Sequence, residues 1–223
     1  MSPAAVATTR ILLADDHEVV RHGLRVLLEA HPGWEVVGEA GNGREAVDKV
    51  RQTKPDVVVL DITMPELNGL EATRQILKAA PQTEVLILTM HESEQIIREV
   101  LAAGARGYVL KSDAGKDLVT AVDALCHHRT FFSSKVSEML LHSYLRRSDR
   151  SEPVEPMRSR LTTREREIVQ LLAEGKSNKE VATALNISIK TAETHRTNIM
   201  NKLDLRSITE LVRYAVRNNI VEP

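Results

Sequence analysis

The sequence lacks the features of secreted, disulfide-bonded, zinc-binding and membrane-spanning proteins. Its single cysteine, Cys126, cannot form an internal disulfide, and no Cys/His pair has the spacing of a zinc finger. No apolar run approaches the roughly 18 residues that a membrane-spanning helix needs, and the start MSPAAVATTR does not resemble a signal peptide. We therefore expect a cytoplasmic protein with no membrane partner and with Cys126 packed in a core.

Charge is distributed unevenly along the 223 residues. Residues 158–223 carry 12 Lys/Arg against 8 Asp/Glu, whereas residues 1–157 carry 18 against 23. A basic C-terminal part joined to an acidic front part favours contact with a polyanion at one end only. Such an excess is common in a segment of this length, so the charge alone is a weak signal.

Residues 8–128 alternate short apolar runs with longer segments of helical periodicity. The runs that we interpret as strands cover 10–14, 34–39, 56–60, 84–88 and 107–110. Between them, apolar residues recur at helical spacing, as at Val20, Leu24 and Leu28. Five such repeats predict a five-stranded, doubly wound parallel sheet with helices on both faces.

Residues 161–220 contain no strand-like run and carry four helix starts. The predicted N-cap residues and capping-box partners are Thr162 with Glu165, Ser177 with Glu180, Ser188, and Ser207. Gly175 ends the first helix, and Asn186 can adopt the left-handed turn after the second. A short helix, a tight turn and a longer helix predict a helix-turn-helix in a small all-α domain.

The changes of pattern divide the chain into two domains and a connection. We expect the first domain over 8–128, a helical extension and linker over 129–157, and the second domain over 158–223. The segment 131–145 has apolar residues at helical spacing, and it either extends the front domain or packs on the back one. Residues 146–160 are charged, carry two prolines and lack periodicity, as a linker does.

Three acidic residues stand at the ends of two predicted strands. Asp15 and Asp16 follow the first apolar run, and Asp61 follows the third. The carboxyl ends of parallel strands form the edge where open α/β sheets build their sites. Converging carboxylates repel one another unless a cation neutralises them, and all-oxygen ligands suit Mg²⁺. The sequence therefore predicts a Mg²⁺ site at this edge.

These residues permit phosphoryl transfer. A carboxylate near Mg²⁺ can attack a phosphoryl group, and positioning and charge neutralisation supply most of the catalysis. Lys111, past the fifth strand, could pair with the phosphoryl oxygens, and Thr89, ending the fourth, could bond the phosphate once formed. Asp16 and Asp61 could instead cap helices, and Lys111 could be a solvated charge. No packing rule requires all of them at strand ends, so the coincidence favours a functional site.

The motif set resembles the receiver domain of two-component response regulators. It comprises Asp15-Asp16, Asp61 with Pro65 and Gly69 four and eight residues on, Thr89, and Lys111. The resemblance covers 10–128 and implies a flavodoxin-like fold. It also implies that a histidine kinase phosphorylates Asp61. Many receivers have proline after the lysine, where this chain has Ser112, and a cis bond without proline costs about 3 kcal/mol more than trans.

The same resemblance assigns roles to individual residues. The implied Mg²⁺ ligands are Asp16, Asp61 and the carbonyl of Thr63, with Asp15 assisting through water. Thr89 and Tyr108 are the implied switch pair.

The C-terminal segment resembles the LuxR-type helix-turn-helix over about 158–220. Together the two halves resemble the subfamily of nitrate and nitrogen-fixation regulators. The resemblance implies that phosphorylation controls dimerisation and sequence-specific binding of double-stranded DNA, and thereby transcription. RNA polymerase is a further candidate partner. The last helix, around Leu211, Val212, Ala215 and Val216, is either the dimer interface or core packing.

The predicted recognition helix, 189–203, carries residues suited to base edges and to phosphates. Glu193 could accept from a cytosine amino group, and Thr194 could meet a thymine methyl or a base edge; Thr197 lies on the same outward side. The predicted phosphate contacts are Lys190, Thr191, Arg196 and Lys202, with Lys176, Asn178 and Lys179 at the scaffold helix. The alternative is a solvated helical face.

Two other function classes fit parts of the sequence. A Mg²⁺-dependent phosphohydrolase could use Asp61 as its nucleophile, but such enzymes usually place a second acid two residues on, where Thr63 stands here. A receiver could also act only as a protein-interaction module, and failure to bind any DNA would favour that class.

Overall fold

A parallel sheet forms the centre of the first part of the chain in the computed structural model, which describes residues 8–148 and 161–221. Its strand order is β2-β1-β3-β4-β5-β6. The strands are β1 (Thr9–Ala14), β2 (Trp34–Ala40), β3 (Val57–Asp61), β4 (Glu84–Thr89), β5 (Gly107–Leu110) and β6 (Phe131–Phe132). All five predicted strands are present. Most of the predicted linker lies outside the described residues.

Helices cover both faces of the sheet, as predicted. They are α1 (Glu18–Glu29), α2 (Gly43–Thr53), α3 (Gly69–Ala79), α4 (Glu94–Ala103) and α5 (Ala114–Cys126), with a 3₁₀ turn at Lys111–Asp113. Strand residues alternate between the two cores. Ile11 and Leu13 pack with α1 and α5, whereas Leu12 and Ala14 pack with α2, α3 and α4. Cys126 packs against the α1/α5 core.

The prediction of five strands was one short. The sixth strand, β6, pairs in parallel with β5 through Phe131 and Phe132. Two residues are too few to produce a recognisable alternation, so this strand depends on its neighbour. The next helix, α6 (Ser134–Ser148), packs Val136 into the α2/α3/α4 core, so the extension belongs to the front part of the chain.

Four helices around one core form the C-terminal part. They are α7 (Thr163–Ala173), α8 (Asn178–Ala184), α9 (Ile189–Leu203) and α10 (Ile208–Arg217). Both predicted capping boxes are formed, and Ser188 and Ser207 accept the predicted N-cap hydrogen bonds. Gly175 and Asn186 have φ values of 84° and 51°, which confirms the predicted left-handed turn at Asn186. The α8–α9 pair is the predicted helix-turn-helix.

Candidate functional site

The three predicted carboxylates converge at the carboxyl edge of the sheet. Strands β1 and β3 are neighbours, with Ala14 opposite Leu60, so Asp15 and Asp61 follow side by side. Ligand atoms of Asp15, Asp16, His17 and Asp61 all lie within 4.8 Å of one another. Sequence reasoning missed His17, whose Nδ1 lies 2.8 Å from Asp16 Oδ1 and 3.2 Å from Asp15 Oδ1. Its position directly after Asp16 was the available signal.

Helix capping explains neither Asp16 nor Asp61. The N-cap of α3 is Asn68, whose side chain accepts from the backbone N–H of Glu71 at 3.0 Å. The N-cap of α1 is His17 rather than Asp16. Helix capping therefore accounts for neither carboxylate.

Lys111 is the cation that holds the cluster together. Its Nζ lies 2.7 Å from Asp15 Oδ2 and 2.8 Å from Asp61 Oδ2. Both carboxylates are almost fully buried, with exposures of 2% and 4%. Burial lowers the pKa of Lys111, but its hydrogen bonds to Asp15 and Asp61 outweigh burial and raise the pKa overall. The alternative of a solvated surface charge is thus excluded for Lys111.

Burial controls the proton affinity of Asp61. It raises the pKa of this carboxyl to about 6, against the opposing hydrogen bond and charge of Lys111. One ammonium faces two nearly buried carboxylates and a third, Asp16, at the rim. This donor set of carboxylate oxygens fits a hard divalent cation such as Mg²⁺.

The predicted switch residues meet at His91, which sequence reasoning did not single out. Thr89 Oγ1, fully buried at the end of β4, accepts from the N–H of His91 at 3.2 Å. The hydroxyl of Tyr108 donates to the His91 carbonyl at 2.6 Å. The ring Nε2 of His91 lies 3.2 Å from Thr63 Oγ1. Burial raises the pKa of Tyr108, so its hydroxyl remains a donor at neutral pH.

The outward face of α9 is accessible. The exposed residues among the predicted DNA contacts are Lys176, Lys179, Lys190, Thr191, Glu193, Thr194, Thr197 and Lys202. Arg196 and Asn178 are half-buried, and Lys202 Nζ is held by Glu165 at 2.7 Å. The hydroxyls of Thr194 and Thr197 donate to backbone carbonyls one turn earlier, so the oxygen lone pairs and the methyl groups are what they can offer outward.

The described residues contain no cis peptide bond, so the bond between Lys111 and Ser112 is trans. Among residues 8–148 and 161–221, no helix combines the length and apolar character that crossing a membrane requires.

Both halves of the chain match known families. Residues 11–123 match the response regulator receiver domain, and residues 159–215 match the bacterial regulatory proteins of the luxR family. The oxygen regulatory protein NreC of Staphylococcus carnosus (strain TM300) is 40% identical over 216 residues, which is 96% of this chain and 99% of that protein.

Solved structures show the same relationship. A two-component response regulator of the LuxR family from Aurantimonas sp. SI85-9A1 is 40% identical with a TM-score of 0.60, covering 62% of this chain and 99% of that one. A structure of two RcsB dimers bound to two parallel DNAs is 28% identical with a TM-score of 0.59, covering 95% and 98%. The chain therefore belongs to the two-component response regulators, with a receiver domain followed by a LuxR-type DNA-binding domain.

Proposed function

We propose that phosphorylation of Asp61 by a histidine kinase switches this regulator between two states. The observation that carries the proposal is the buried carboxylate cluster with Lys111 between Asp15 and Asp61. With a pKa of about 6, Asp61 is mostly ionised at neutral pH and can act as a nucleophile. Asp15, Asp16, Asp61 and the Thr63 carbonyl would hold Mg²⁺, which when bound draws charge from the phosphoryl oxygens.

The chain's own residues supply the rest of the reaction. An Asp61 oxygen forms the new bond to phosphorus, while the donor's bond to phosphorus breaks and the leaving group keeps the electron pair. Lys111, already 2.8 Å from Asp61, pairs with a phosphoryl oxygen. The hydroxyl of Thr89 then loses the hydrogen bond that it accepts from the N–H of His91 and bonds the phosphate instead. This change moves the loop after β4 and alters the surroundings of Tyr108.

The proposed output is a dimer on DNA. The exposed face of α9 suits the major groove, with Glu193 and Thr194 reading bases and the lysines contacting phosphates. Related RcsB forms dimers on DNA. In this chain Val212 and Val216 of α10 face the receiver across a shared cavity, so an α10-mediated dimer requires the two domains to separate. We assign the protein to the cytoplasm because chromosomal DNA is its proposed ligand.

Phosphorylation is tested by incubating the full chain with acetyl phosphate and Mg²⁺ beside Asp61→Asn. We expect mass spectrometry to find one labile phosphoryl group on the wild type and none on the variant. The same samples should show dimerisation and tighter binding to duplexes selected from a random pool. Steady turnover of phosphate esters would instead support a phosphohydrolase. An unlabelled wild type, or a chain that selects no duplex, would contradict the proposal.

DNA recognition is tested by comparing Lys190→Ala and Glu193→Ala on the selected duplexes. Loss of Lys190 should weaken binding to all sequences alike and reduce the salt slope by about one. Loss of Glu193 should cost about 1–3 kcal/mol on the selected sequence and relax preference at one base pair. Asn201→Ala, also exposed on α9, serves as the control. Equal effects of all three changes would contradict the assigned roles.

A further inference from the structure

The DNA-binding domain holds the backbone of the loop that follows the phosphoacceptor. Gln170 of α7 is only 1% exposed. Its Oε1 accepts from the N–H of Asn68 at 2.8 Å, and its Nε2 donates to the carbonyl of Met64 at 2.9 Å. One side chain of the second domain thus binds both ends of a five-residue stretch, 64–68, in the first. This stretch begins three residues after Asp61.

Glu174, one turn after Gln170, binds the middle of the same stretch. Its carboxylate accepts from the N–H of Glu66 at 3.0 Å and from Gln170 Nε2 at 2.8 Å. Glu66 has a φ of 66°, in the left-handed region that residues other than glycine seldom adopt. Such a conformation persists only when its surroundings fix it. Here those surroundings include the Glu174 carboxylate of the other domain. We call Gln170 and Glu174 together the clasp.

Further contacts fix the domains around the clasp. Asn68 Nδ2 donates to the carbonyl of Ile220, beyond α10, at 3.3 Å. Gln75 of α3 donates to Glu167 at 2.8 Å, and Arg166 donates to the buried Glu71 at 2.9 Å. The docked arrangement is therefore specific, with hydrogen bonds from α3 and the β3–α3 loop to both ends of the DNA-binding domain.

A cavity of about 730 Å³ lies between the rim of the acidic cluster, at Asp16, and α10. Asp16, Thr63 and His91 line one side, and Val212, Val216 and Ile220 line the other. A cavity of this size admits a small molecule. The docked domain thus lies across one approach to the phosphorylation site while leaving room for a small phosphoryl donor.

We propose that Gln170 and Glu174 are positioning residues that slow the phosphorylation of Asp61, acting from the DNA-binding domain. The clasp fixes residues 64–68 in the conformation of the docked state, so the docked chain accepts a phosphoryl group less readily than the released one. Because coupling between two sites is reciprocal, a phosphoryl group that releases the DNA-binding domain must itself bind more tightly once that domain is released. This inference rests on the proposed phosphorylation of Asp61.

The test uses the full chain with Gln170→Ala, which removes both hydrogen bonds to the loop. Gln52→Ala, at an exposed position of α2, is the matched control. Fluoroberyllate, a phosphoryl analogue, is titrated in the presence of Mg²⁺ by calorimetry, and acetyl phosphate labelling is timed by mass spectrometry. We expect about tenfold tighter fluoroberyllate binding and faster labelling for Gln170→Ala, within the 5–150-fold range of typical couplings. Gln52→Ala should match the wild type.

A second variant separates positioning from loss of folding. Glu174→Gln keeps the size of the side chain but weakens acceptance from the N–H of Glu66, and it should produce a smaller gain in the same direction. A merely structural defect would weaken fluoroberyllate binding rather than strengthen it. If both folded variants bind fluoroberyllate and are labelled no better than the wild type, with Asp61 still labelled, the inference about the clasp would be overturned while the proposed function stands. A wild type that no donor labels would overturn the proposed function and the clasp with it.

Discussion

Replacing Lys111 by methionine should lower the free energy of unfolding by about 3 kcal/mol in metal-free buffer at neutral pH. Methionine keeps most of the volume but leaves Asp15 and Asp61, with exposures of 2% and 4%, without their shared cation. Breaking a buried ion pair from one side is costly because the remaining charge stays desolvated. Urea unfolding of the full chain with a metal chelator measures the loss.

The loss in the free energy of unfolding of Lys111→Met should shrink as the pH falls. The folded-state pKa of Asp61 is raised from its ordinary 3.8 to about 6. A raised pKa means that the stabilisation by the protonated form is complete below pH 3.8 and is lost as the pH rises through about 6. Without Lys111 this pKa rises further, so at pH 5 Asp61 is neutral in the variant and little repulsion remains.

Mg²⁺ and a matched lysine provide the controls for Lys111→Met. An ion that binds only the folded state stabilises it, so added Mg²⁺ should restore part of the loss if the acidic cluster holds the metal. Lys135→Met removes an exposed pair with Glu92 and should cost under about 1 kcal/mol. An equal loss in the two variants, independent of pH, would contradict the assigned role of Lys111.

The parts of the site that could be predicted are those fixed by strand ends. A buried parallel strand is recognisable in the sequence as a continuous apolar run. The residues that follow it must therefore lie at the carboxyl edge of the sheet. Asp15, Asp61, Thr89 and Lys111 were found in this way. His91 could not be found, because its contacts with Thr63 and Tyr108 depend on the path of a short loop and leave no periodic signal.

Contacts between the two domains were beyond prediction for a different reason. Gln170 and Glu174 are polar residues on an amphipathic helix, and such residues usually face solvent. Their partners on the receiver are backbone groups, which every sequence provides, so no complementary side chain marks these two residues as interface contacts. The orientation of two separately folded units follows from tertiary contacts of this kind rather than from the spacing of apolar residues.

Gly69→Ala should disrupt the phosphorylation site directly. A Cβ at this position would lie 2.0 Å from the carbonyl oxygen of Asp61 and 2.9 Å from Ile62 Cα. These are backbone atoms, so relief requires the strand end that carries the phosphoacceptor to move. The N–H of Gly69 also donates to the Ile62 carbonyl at 2.8 Å, which ties α3 to the same strand end. We expect a loss of about 3 kcal/mol in the free energy of unfolding and a large fall in acetyl phosphate labelling.

The matched change is Gly23→Ala, since Gly23 lies inside α1 and, apart from its chain neighbours and the backbone of its own helix, no atom lies within 4 Å of the added carbon. Alanine there should raise the free energy of unfolding by about 0.5–1 kcal/mol through helix propensity. The two variants thus add the same methyl group with opposite expected effects on stability. Retention of wild-type stability and labelling by Gly69→Ala would mean that the backbone at Asp61 yields easily. If the backbone at Asp61 deforms so easily, contacts made to residues 64–68 could not affect the phosphoacceptor. This outcome would therefore also weaken the inference about Gln170 and Glu174.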